Sequence, residues 1–187
     1  MFDFTKFPVL VTERLILRNF RPSDTDDVLT FRGDPIVQKY DDPAIHTRSE
    51  AQKFIDELQS EYDDREGISW AVVLKERAVV LGGFGLHHWD PYHRRAEAGY
   101  GIARAYWGQR IATEALRAIV QFGFEQMNLH RIYARTIADN QESVRLLERF
   151  GFRLEGTQRE HSWEEDGTFH DSAIYGLLAH EFAQLED

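Results

Sequence analysis

The sequence predicts an α/β (α+β) protein of one domain, residues 1–187, built on a mixed β-sheet of about seven strands flanked by helices. The first observation is the order of its patterns, which runs strand, two helices, three strands, helix, strand, helix, two strands. The second is size and composition, because 187 residues with 42% hydrophobic and 13% aromatic side chains can build one sizeable core. The third is that no internal repeat, low-complexity tract or linker divides the chain.

The first third of the chain predicts one strand and two helices. Residues 9–20 alternate apolar and polar side chains as a strand does. Ser23 can cap a helix over residues 24–32, which Gly33 would end. Ser49 and Gln52 have the spacing of a capping box ahead of a second, amphipathic helix.

The centre of the chain predicts three strands and the most regular helix. Residues 68–74 and 78–88 are rich in β-formers and read as a hairpin, and residues 95–102 form a third strand. Helical spacing then begins, and one helix face carries small and apolar residues: Ala112, Ala115, Leu116, Ile119, Val120, Gly123 and Met127. Gly123 on this face predicts a close approach to the sheet.

The last third predicts a strand, a helix and a hairpin. Residues 130–138 form the strand, and Asp139 or Asn140 caps the helix that follows. Residues 151–163 and 169–178 are the hairpin strands, with a turn at Asp166–Gly167.

Composition and charge exclude several classes of function. The absence of cysteine excludes disulfides, thiolate metal sites and a covalent acyl-thioester on the protein. A formal net charge of −10 argues against general nucleic-acid binding and favours cationic partners at long range. The chain contains no apolar run near the roughly 20 residues that cross a bilayer, and it does not begin as a signal peptide does, so we expect a cytoplasmic protein.

Residues 100–116 read as a strand that runs through a short loop into a helix. Such a junction directs backbone N–H groups and the positive end of a helix dipole at one point, which suits a pyrophosphate. Residues 92–117 also carry five arginines against two glutamates, a local charge of +3: Arg94, Arg95, Arg104, Arg110 and Arg117 against Glu97 and Glu114. An ordinary strand-to-helix turn with Trp107 in surface packing is the simpler alternative for this loop alone.

Five segments in register identify a family resemblance: AEAGYGI, YWGQRIATEAL, NQESVRLLERFGF, LEGTQRE and DSAIYGLL. Together they resemble the RimJ/RimL-type branch of the GNAT superfamily, the acetyl-CoA-dependent N-acetyltransferases. The resemblance implies a single GNAT domain whose central strands splay apart. It also implies that acetyl-CoA is the cosubstrate, with no metal and with an amine as acceptor.

The resemblance assigns cofactor contacts to two places. The strand backbone at Tyr100, Gly101 and Ile102 would pair with the pantetheine arm, and a loop would hold the pyrophosphate through Trp107, Gly108, Gln109, Arg110, Ile111, Ala112 and Thr113. Trp107 is usual in the branch, whereas Arg110 replaces a glycine. Arg110 can still donate its N–H if its φ is negative, and its guanidinium could pair with a phosphate, so we expect weaker geometry but retained binding.

The resemblance also suggests catalytic residues. Asn140 and Ser143 would reach the pantetheine, with Ser143 beside the thioester sulfur, while Leu147 occupies the place where many members carry an acidic tyrosine. Glu97 is the candidate base by analogy. Its alternative role is that of a strand-edge carboxylate paired with Arg94 or Arg95.

The candidate acceptor site is less defined. A carboxylate of RimL-like enzymes aligns with Ser162, and strand alternation would place Glu160 on the same face as a substitute. His87, Trp89 and Tyr92 could line the acceptor groove. A metal site at His87, His88 and His93 is disfavoured, because adjacent strand residues face opposite ways and no carboxylate has a suitable spacing.

The resemblance favours acetyl transfer to a protein N-terminal α-amine, such as that of a ribosomal protein, by direct attack in a ternary complex. Small amines remain open alternatives, namely polyamines, antibiotics or amino acids. The acidic segments 40–43 and 63–67 could serve a polyamine. A sensor that binds acyl-CoA without turnover is the rival from another class, and a homodimer is plausible for the branch.

Overall fold

The structure is a computed structural model that describes residues 3–41, 43–164 and 166–184. Its strands are β1 (Leu10–Val11), β2 (Leu15–Arg18), β3 (Ile68–Leu74), β4 (Val79–Asp90), β5 (Arg95–Ile102), β6 (Arg131–Ile137), β7 (Arg153–Trp163) and β8 (Phe169–Leu178). Its helices are α1 (Thr25–Arg32), α2 (Arg48–Asp63), α3 (Ile111–Glu125), α4 (Gln141–Phe150) and α5 (Ala179–Ala183). The short α5 follows the final strand and was not predicted.

The eight strands form one mixed sheet in the order β1-β2-β3-β4-β5-β6-β8-β7. The β5–β6 pair is parallel, and the other neighbours are antiparallel. Parallel neighbours need a long crossover, and α3 lies in that connection. The predicted mixed sheet and the predicted hairpin of β3 with β4 are therefore confirmed.

The predicted first strand is two strands, which raises the expected count of about seven to eight. β1 folds back on β2, with Leu10 opposite Leu17. Thr12 turns the chain, since its N–H donates to the Leu15 carbonyl at 3.0 Å and its hydroxyl donates to the Glu114 carboxylate at 2.6 Å. Glu114 also accepts from the Arg14 backbone N–H at 2.9 Å. A distant carboxylate on α3 thus stabilises the turn, which period-2 alternation cannot reveal.

Two predicted helix caps are wrong. A 3-10 turn at Pro22–Asp24 precedes α1, so Asp24 and not Ser23 holds the N-cap position. The Asp24 carboxylate pairs instead with Arg18, with Nη–Oδ distances of 2.7 and 2.9 Å. At α2 the capping box is Thr47 with Glu50, two residues before the predicted Ser49 pair, because TRSE satisfies the same spacing with a carboxylate.

Helices cover both faces of the sheet. One core cluster joins α3 and α4 to the face that carries Trp70, Phe84 and Ile132, while a second joins α1 and α2 to the face that carries Ala71 and Val73. Phe4 and Phe7 extend the first cluster by packing on Tyr62, with ring centroids 5.1 and 4.9 Å away. The sheet is therefore the middle layer of three, and its strands contribute side chains to a hydrophobic core on each face.

Gly123 confirms the predicted close approach of α3 to the sheet. A Cβ atom there would lie 2.9 Å from Leu86 Cδ1 and 3.0 Å from Ile132 Cδ1. Side chains of two strands therefore occupy the space that any larger residue would need.

None of the helices in the described part of the chain combines the length and apolar character needed to cross a membrane.

Candidate active site

The sheet opens between its two parallel strands. β5 and β6 pair only at Arg95–Arg131, Ala96–Ile132 and Glu97–Tyr133 among the described residues. β5 nevertheless stays paired with β4 as far as Ile102, and β6 stays paired with β8 as far as Ile137. The facing edges therefore diverge after Glu97, and their backbone groups border a V-shaped opening.

The loop between β5 and α3 closes one end of this opening. Trp107 is fixed there because its indole Nε1–H donates to the Ile102 carbonyl at 2.9 Å. Gly108 and Arg110 both adopt left-handed backbone, with φ of 72° and 60°. Within the described chain, the backbone N–H groups of residues 108–113 have no hydrogen-bond acceptor.

This arrangement fits a pyrophosphate. Six unpartnered N–H groups gather around the N-terminus of the 15-residue helix α3, and left-handed turns of this kind form anion-binding nests. Arg110 does not meet the condition of a negative φ, because the chain reaches its helical N-cap through the left-handed region, yet its N–H has no acceptor among the described residues. Arg110 thus adopts the left-handed conformation for which glycine is the usual residue.

The five arginines counted around the loop do not form one cluster. Their contacts are Arg94 with Asn128, Arg95 with Asp90, Arg104 with Asp34 and Arg117 with the Phe150 ring. Arg110 lies in the loop itself and is exposed. The positive charge available to an anion in the loop therefore comes chiefly from Arg110 and the α3 dipole.

Two hydroxyl groups meet on the α3 side of the opening. Tyr100 Oη lies 2.9 Å from Ser143 Oγ. Ser143 sits in the first turn of α4, where its N–H donates to the Asn140 Oδ1 cap at 3.2 Å. The Tyr100 ring stacks on Phe84 with centroids 5.5 Å apart, and burial raises the pKa of Tyr100 to about 12.

The sequence prediction gave Tyr100 only a backbone role and missed this side-chain contact. Alternation along β5 was the available signal, since it puts Tyr100 on the buried face with Ala98 and Ile102. Leu147, where many relatives were expected to carry a tyrosine, is fully buried in the core.

Glu97 occupies the other face of β5 at the point of divergence. Its carboxylate accepts from Arg135 Nε at 3.1 Å and Nη2 at 3.3 Å, and only 14% of its side chain is exposed. The alternative pairing with Arg94 or Arg95 is therefore wrong, because the β6 arginine across the opening takes that place. Burial, and after it the charge of Glu97, raises the pKa of the neighbouring Tyr133.

A cavity of about 350 Å³ lies in front of Glu97. Its lining is mainly cationic and aromatic: His88, Arg95, Glu97, Arg131, Tyr133, Arg135, Gln158 and Ile174. Each of the three guanidinium groups has an acidic partner: Arg135 pairs with Glu97, Arg95 with Asp90 and Arg131 with Glu155.

Among the predicted acceptor residues, His87 lies nearest to Glu97 in the sheet. The two residues are direct partners across β4 and β5. The His87 ring lies over Gly85 and Gly99, and its Nδ1 is 2.8 Å from Glu61 Oε1. Glu61 on α2 thus orients the ring on the sheet face that carries Glu97.

Trp89 and Tyr92 lie elsewhere. Trp89 is partly buried and packs its ring on Phe4, with centroids 5.0 Å apart, against the hydrophobic core. Tyr92 is 88% exposed in the β4–β5 turn and contacts His93. Neither has a contact that joins it to Glu97 or to the loop among the described residues.

The prediction that strand alternation places Glu160 on the same face as Ser162 is wrong. β7 is irregular between Gln158 and Ser162, which face Ser172 and His170, so simple alternation fails. Glu160 has φ of 49°, its N–H donates to the Asp171 carboxylate at 2.8 Å, and it is exposed.

His170 ties the β7–β8 hairpin to the turn that begins α4. Its Nε2 is 2.9 Å from Asp166 and its Nδ1 is 3.3 Å from Asp139, which precedes the Asn140 cap. The hydrogen bond with Asp166 is the main cause that raises the pKa of His170. Lys39 approaches the same group from the α1–α2 connection: its pKa is raised by the Tyr40 hydroxyl and, less, by the charges of Asp166 and Asp139.

We expect this contact to make stability depend on pH. A histidine whose pKa is raised by folding contributes its full stability below the unfolded value of about 6.5, and that contribution disappears as pH rises through the folded value. The unfolding free energy of H170Q should therefore fall furthest below that of the wild type at about pH 5.5, and the difference should narrow by about pH 8.5. Urea unfolding at both pH values measures this.

The matched control is H161Q, which changes an exposed histidine on β7. Residue 161 has none of the contacts with Asp166 and Asp139 that His170 makes, so a pH dependence found in H170Q and not in H161Q can be assigned to those contacts. An H170Q difference that is independent of pH would contradict the assignment.

Within residues 3–41, 43–164 and 166–184, no group of three or more histidine, aspartate or glutamate side chains is arranged to hold a metal ion.

Comparisons with known proteins agree with this geometry. Residues 14–153 match the model of the acetyltransferase (GNAT) domain family. The chain is 32% identical to the uncharacterized N-acetyltransferase YoaA of Bacillus subtilis, covering 92% of this chain and 97% of YoaA. It is 26% identical to the ribosomal-protein-serine acetyltransferase of Escherichia coli, covering 65% and 73% of the two chains.

A solved structure shares the fold. The ribosomal L7/L12 α-N-protein acetyltransferase RimL, in complex with coenzyme A, superposes with a TM-score of 0.83 at 20% identity, covering 91% of this chain and 98% of RimL.

Proposed function

The chain belongs to the GNAT family of acetyltransferases, and from this membership we propose that it moves an acetyl group from acetyl-CoA to a protein N-terminal α-amine. The observation that carries the proposal is the opening between β5 and β6. The anion-binding loop, the Glu97 carboxylate and the Tyr100–Ser143 hydroxyl pair all border it. The ribosomal-protein relatives support the resemblance to RimJ/RimL-type proteins that the motifs predicted.

The residues of this chain fit the cosubstrate in three ways. The β5 edge at Tyr100–Ile102 faces the opening, and its backbone groups there, other than the Ile102 carbonyl that accepts from Trp107, could pair with the amides of a pantetheine arm. Residues 108–113 offer their N–H groups to the pyrophosphate. Asn140 and Ser143 at the start of α4 border the same opening, through the Ser143 contact with Tyr100.

When it is bound, acetyl-CoA supplies an activated thioester. The chain would hold the acceptor amine on the Glu97 side of the opening, and Glu97 would accept the proton that the amine loses as its nitrogen forms the new bond. Holding the thioester and the amine together in one opening lowers the barrier, because the entropy cost of bringing two reactants together is met by binding. Glu97 then adds general base catalysis.

An α-amine fits this site better than a lysine side chain or a polyamine. Its pKa is about 7.7–8.0 against about 10.4 for lysine, so it needs less help to become neutral. Among the residues that line the Glu97 cavity, Glu97 alone is acidic, whereas a polycation site needs clustered carboxylates. The acidic residues of segment 63–67 lie exposed at the end of α2, and Asp42 of segment 40–43 lies outside the described residues.

The test combines acetyl-CoA with peptides that begin with serine, alanine or methionine, and with spermidine, an aminoglycoside and free amino acids. Released thiol reports turnover, and mass spectrometry locates the acetyl group. We expect turnover with free N-terminal peptides and none with the same peptides blocked at the α-amine. Turnover confined to small amines would contradict the proposed acceptor.

Thermal unfolding with CoA separates the remaining possibilities. Stabilisation by CoA without thiol release from any amine would support the acyl-CoA sensor. For a Kd in the micromolar range, about 1 mM CoA is a thousandfold excess and should raise the stability of the folded state by about 4 kcal/mol. Absence of stabilisation at that concentration would contradict both functions.

A further inference from the structure

The hydroxyl pair of Tyr100 and Ser143 lies where two structural elements meet at the opening. Tyr100 comes from the free edge of β5 and Ser143 from the first turn of α4. Their oxygens are 2.9 Å apart, so one hydroxyl donates to the other. A pair that holds its own hydrogen bond still has one hydroxyl hydrogen to give elsewhere.

We propose that the Tyr100 hydroxyl donates to Ser143 Oγ and so orients the Ser143 hydroxyl, which the family resemblance places beside the thioester sulfur, toward the departing CoA thiolate. This inference rests on the proposed function and names Tyr100 as a positioning residue that acts through Ser143. The two residues together stabilise the negative charge that develops on the sulfur when the thioester breaks.

The surroundings of Ser143 support the direction of these bonds. Its backbone N–H is already taken by the Asn140 side chain, which leaves the hydroxyl as its free donor. The ten-residue helix α4 begins at Gln141, so its positive end lies beside the Ser143 hydroxyl and favours an anion. Thiolates are stabilised by this environment, as low thiol pKa values at helix N-termini show.

The Tyr100 ring is held firmly enough to act in this way. It stacks on Phe84, which is fully buried, and Phe84 is its direct partner across β4 and β5. Donation from Tyr100 polarises the Ser143 hydroxyl and strengthens the bond that Ser143 donates in turn. The side chain at residue 147, a buried leucine, cannot supply a hydroxyl for this purpose.

Electron and proton balance decide between hydrogen bonding and proton transfer. The amine lone pair forms the C–N bond, the C–S bond breaks with its electron pair on sulfur, and the amine proton passes to Glu97. Burial raises the pKa of Tyr100 to about 12, whereas a thiol titrates near 8.5. Tyrosine therefore keeps its proton, and the pair stabilises the thiolate without protonating it.

The test measures the pKa of the CoA thiol when it is bound to the protein, by ultraviolet titration of the thiolate, and needs no acceptor. In the wild type the thiol should titrate about one to two units below free CoA, as expected for a hydrogen bond to a charged group. Y100F and S143A should each raise the bound value by about one unit. The double variant should raise it no further than S143A does, because Tyr100 acts through Ser143.

Two further variants separate this role from a structural one. S143T keeps a hydroxyl and should retain the lowered thiol pKa, whereas S143A should lose it. Y175F removes a different tyrosine hydroxyl, which donates to Glu148 at 3.3 Å, and should leave the thiol pKa unchanged. With an active acceptor, Y100F should lower kcat about tenfold while KM for acetyl-CoA stays within about twofold.

The outcomes are distinct for the two levels of the proposal. A bound thiol pKa that is the same in Y100F and the wild type would overturn the role of Tyr100 while leaving acetyl transfer intact. A protein that binds no CoA would overturn the proposed function itself, and this inference with it.

Discussion

Replacing Glu97 with glutamine is expected to lower kcat/KM for the acceptor amine by about 10²- to 10⁴-fold, the range that general base catalysis contributes. Glu97 stands where β5 and β6 separate, with its side chain mostly buried and on the face opposite to Tyr100. Glutamine preserves the shape and can still contact Arg135, but it cannot take a proton. The loss should therefore fall on turnover, and calorimetry should find CoA affinity unchanged.

The pH profile of this variant carries more information than its rate at one pH. An α-amine with a pKa of about 7.7–8.0 is mostly protonated at about pH 6.5, where assistance matters most. We expect the ratio of wild-type to E97Q turnover to be largest there and to shrink above about pH 8.5. A ratio that does not change with pH would remove Glu97 as the base.

The matched control for this experiment is E155Q. Glu155 forms an ion pair with Arg131, which also lines the cavity, so the substitution removes an equivalent charge close to the site. It does so from β7, away from the point of divergence. Its turnover should stay within a few-fold of the wild type, which would show that loss of a nearby negative charge is not enough.

The fold was largely predictable because its signals are local and repeated. Richness in β-forming residues identified β3 and β4, and helical spacing identified α3 with its glycine contact at Gly123. The split of the first strand was not predictable in the same way. It depends on Glu114, a residue about 100 positions away, which binds Thr12 and Arg14.

The parts of the site that are formed by backbone groups could be predicted from the sequence. The loop at residues 107–113 and the helix cap at Asn140 follow from short motifs, whatever their side chains contact. Partners across the opening were not predictable, since Glu97 meets Arg135 and Tyr100 meets Ser143 only after distant strands and helices assemble. Arg110 shows a different limit. The preference for glycine at this position predicted weaker loop geometry, and the sequence did not reveal that arginine adopts a left-handed φ of 60° there.

Replacing Gly82 with alanine is expected to lower the free energy of unfolding by about 3 kcal/mol, at the upper end of overpacking costs. A Cβ atom at Gly82 would lie 2.1 Å from the Gly101 carbonyl oxygen and 2.8 Å from Ile102 Cα. Both atoms are backbone, so no side chain can rotate away and β5 itself must move. For a chain of this size the melting temperature should fall by ~6–12 °C.

The consequence for function follows from where β5 would have to move. Gly82 pairs with Ile102 in the part of β5 that has left β6, so a displaced β5 carries the Tyr100–Ile102 edge with it. G82A should therefore weaken CoA binding as well as stability. G101A is the matched control, because a Cβ atom there meets nothing within 4 Å and its melting temperature should stay near that of the wild type. An equal fall in melting temperature in both variants would mean that any glycine replacement destabilises this part of the sheet, whether or not it disturbs the contact between β4 and β5. A fall confined to G82A would show that the packing of β4 against β5 fixes the strand edge that borders the opening.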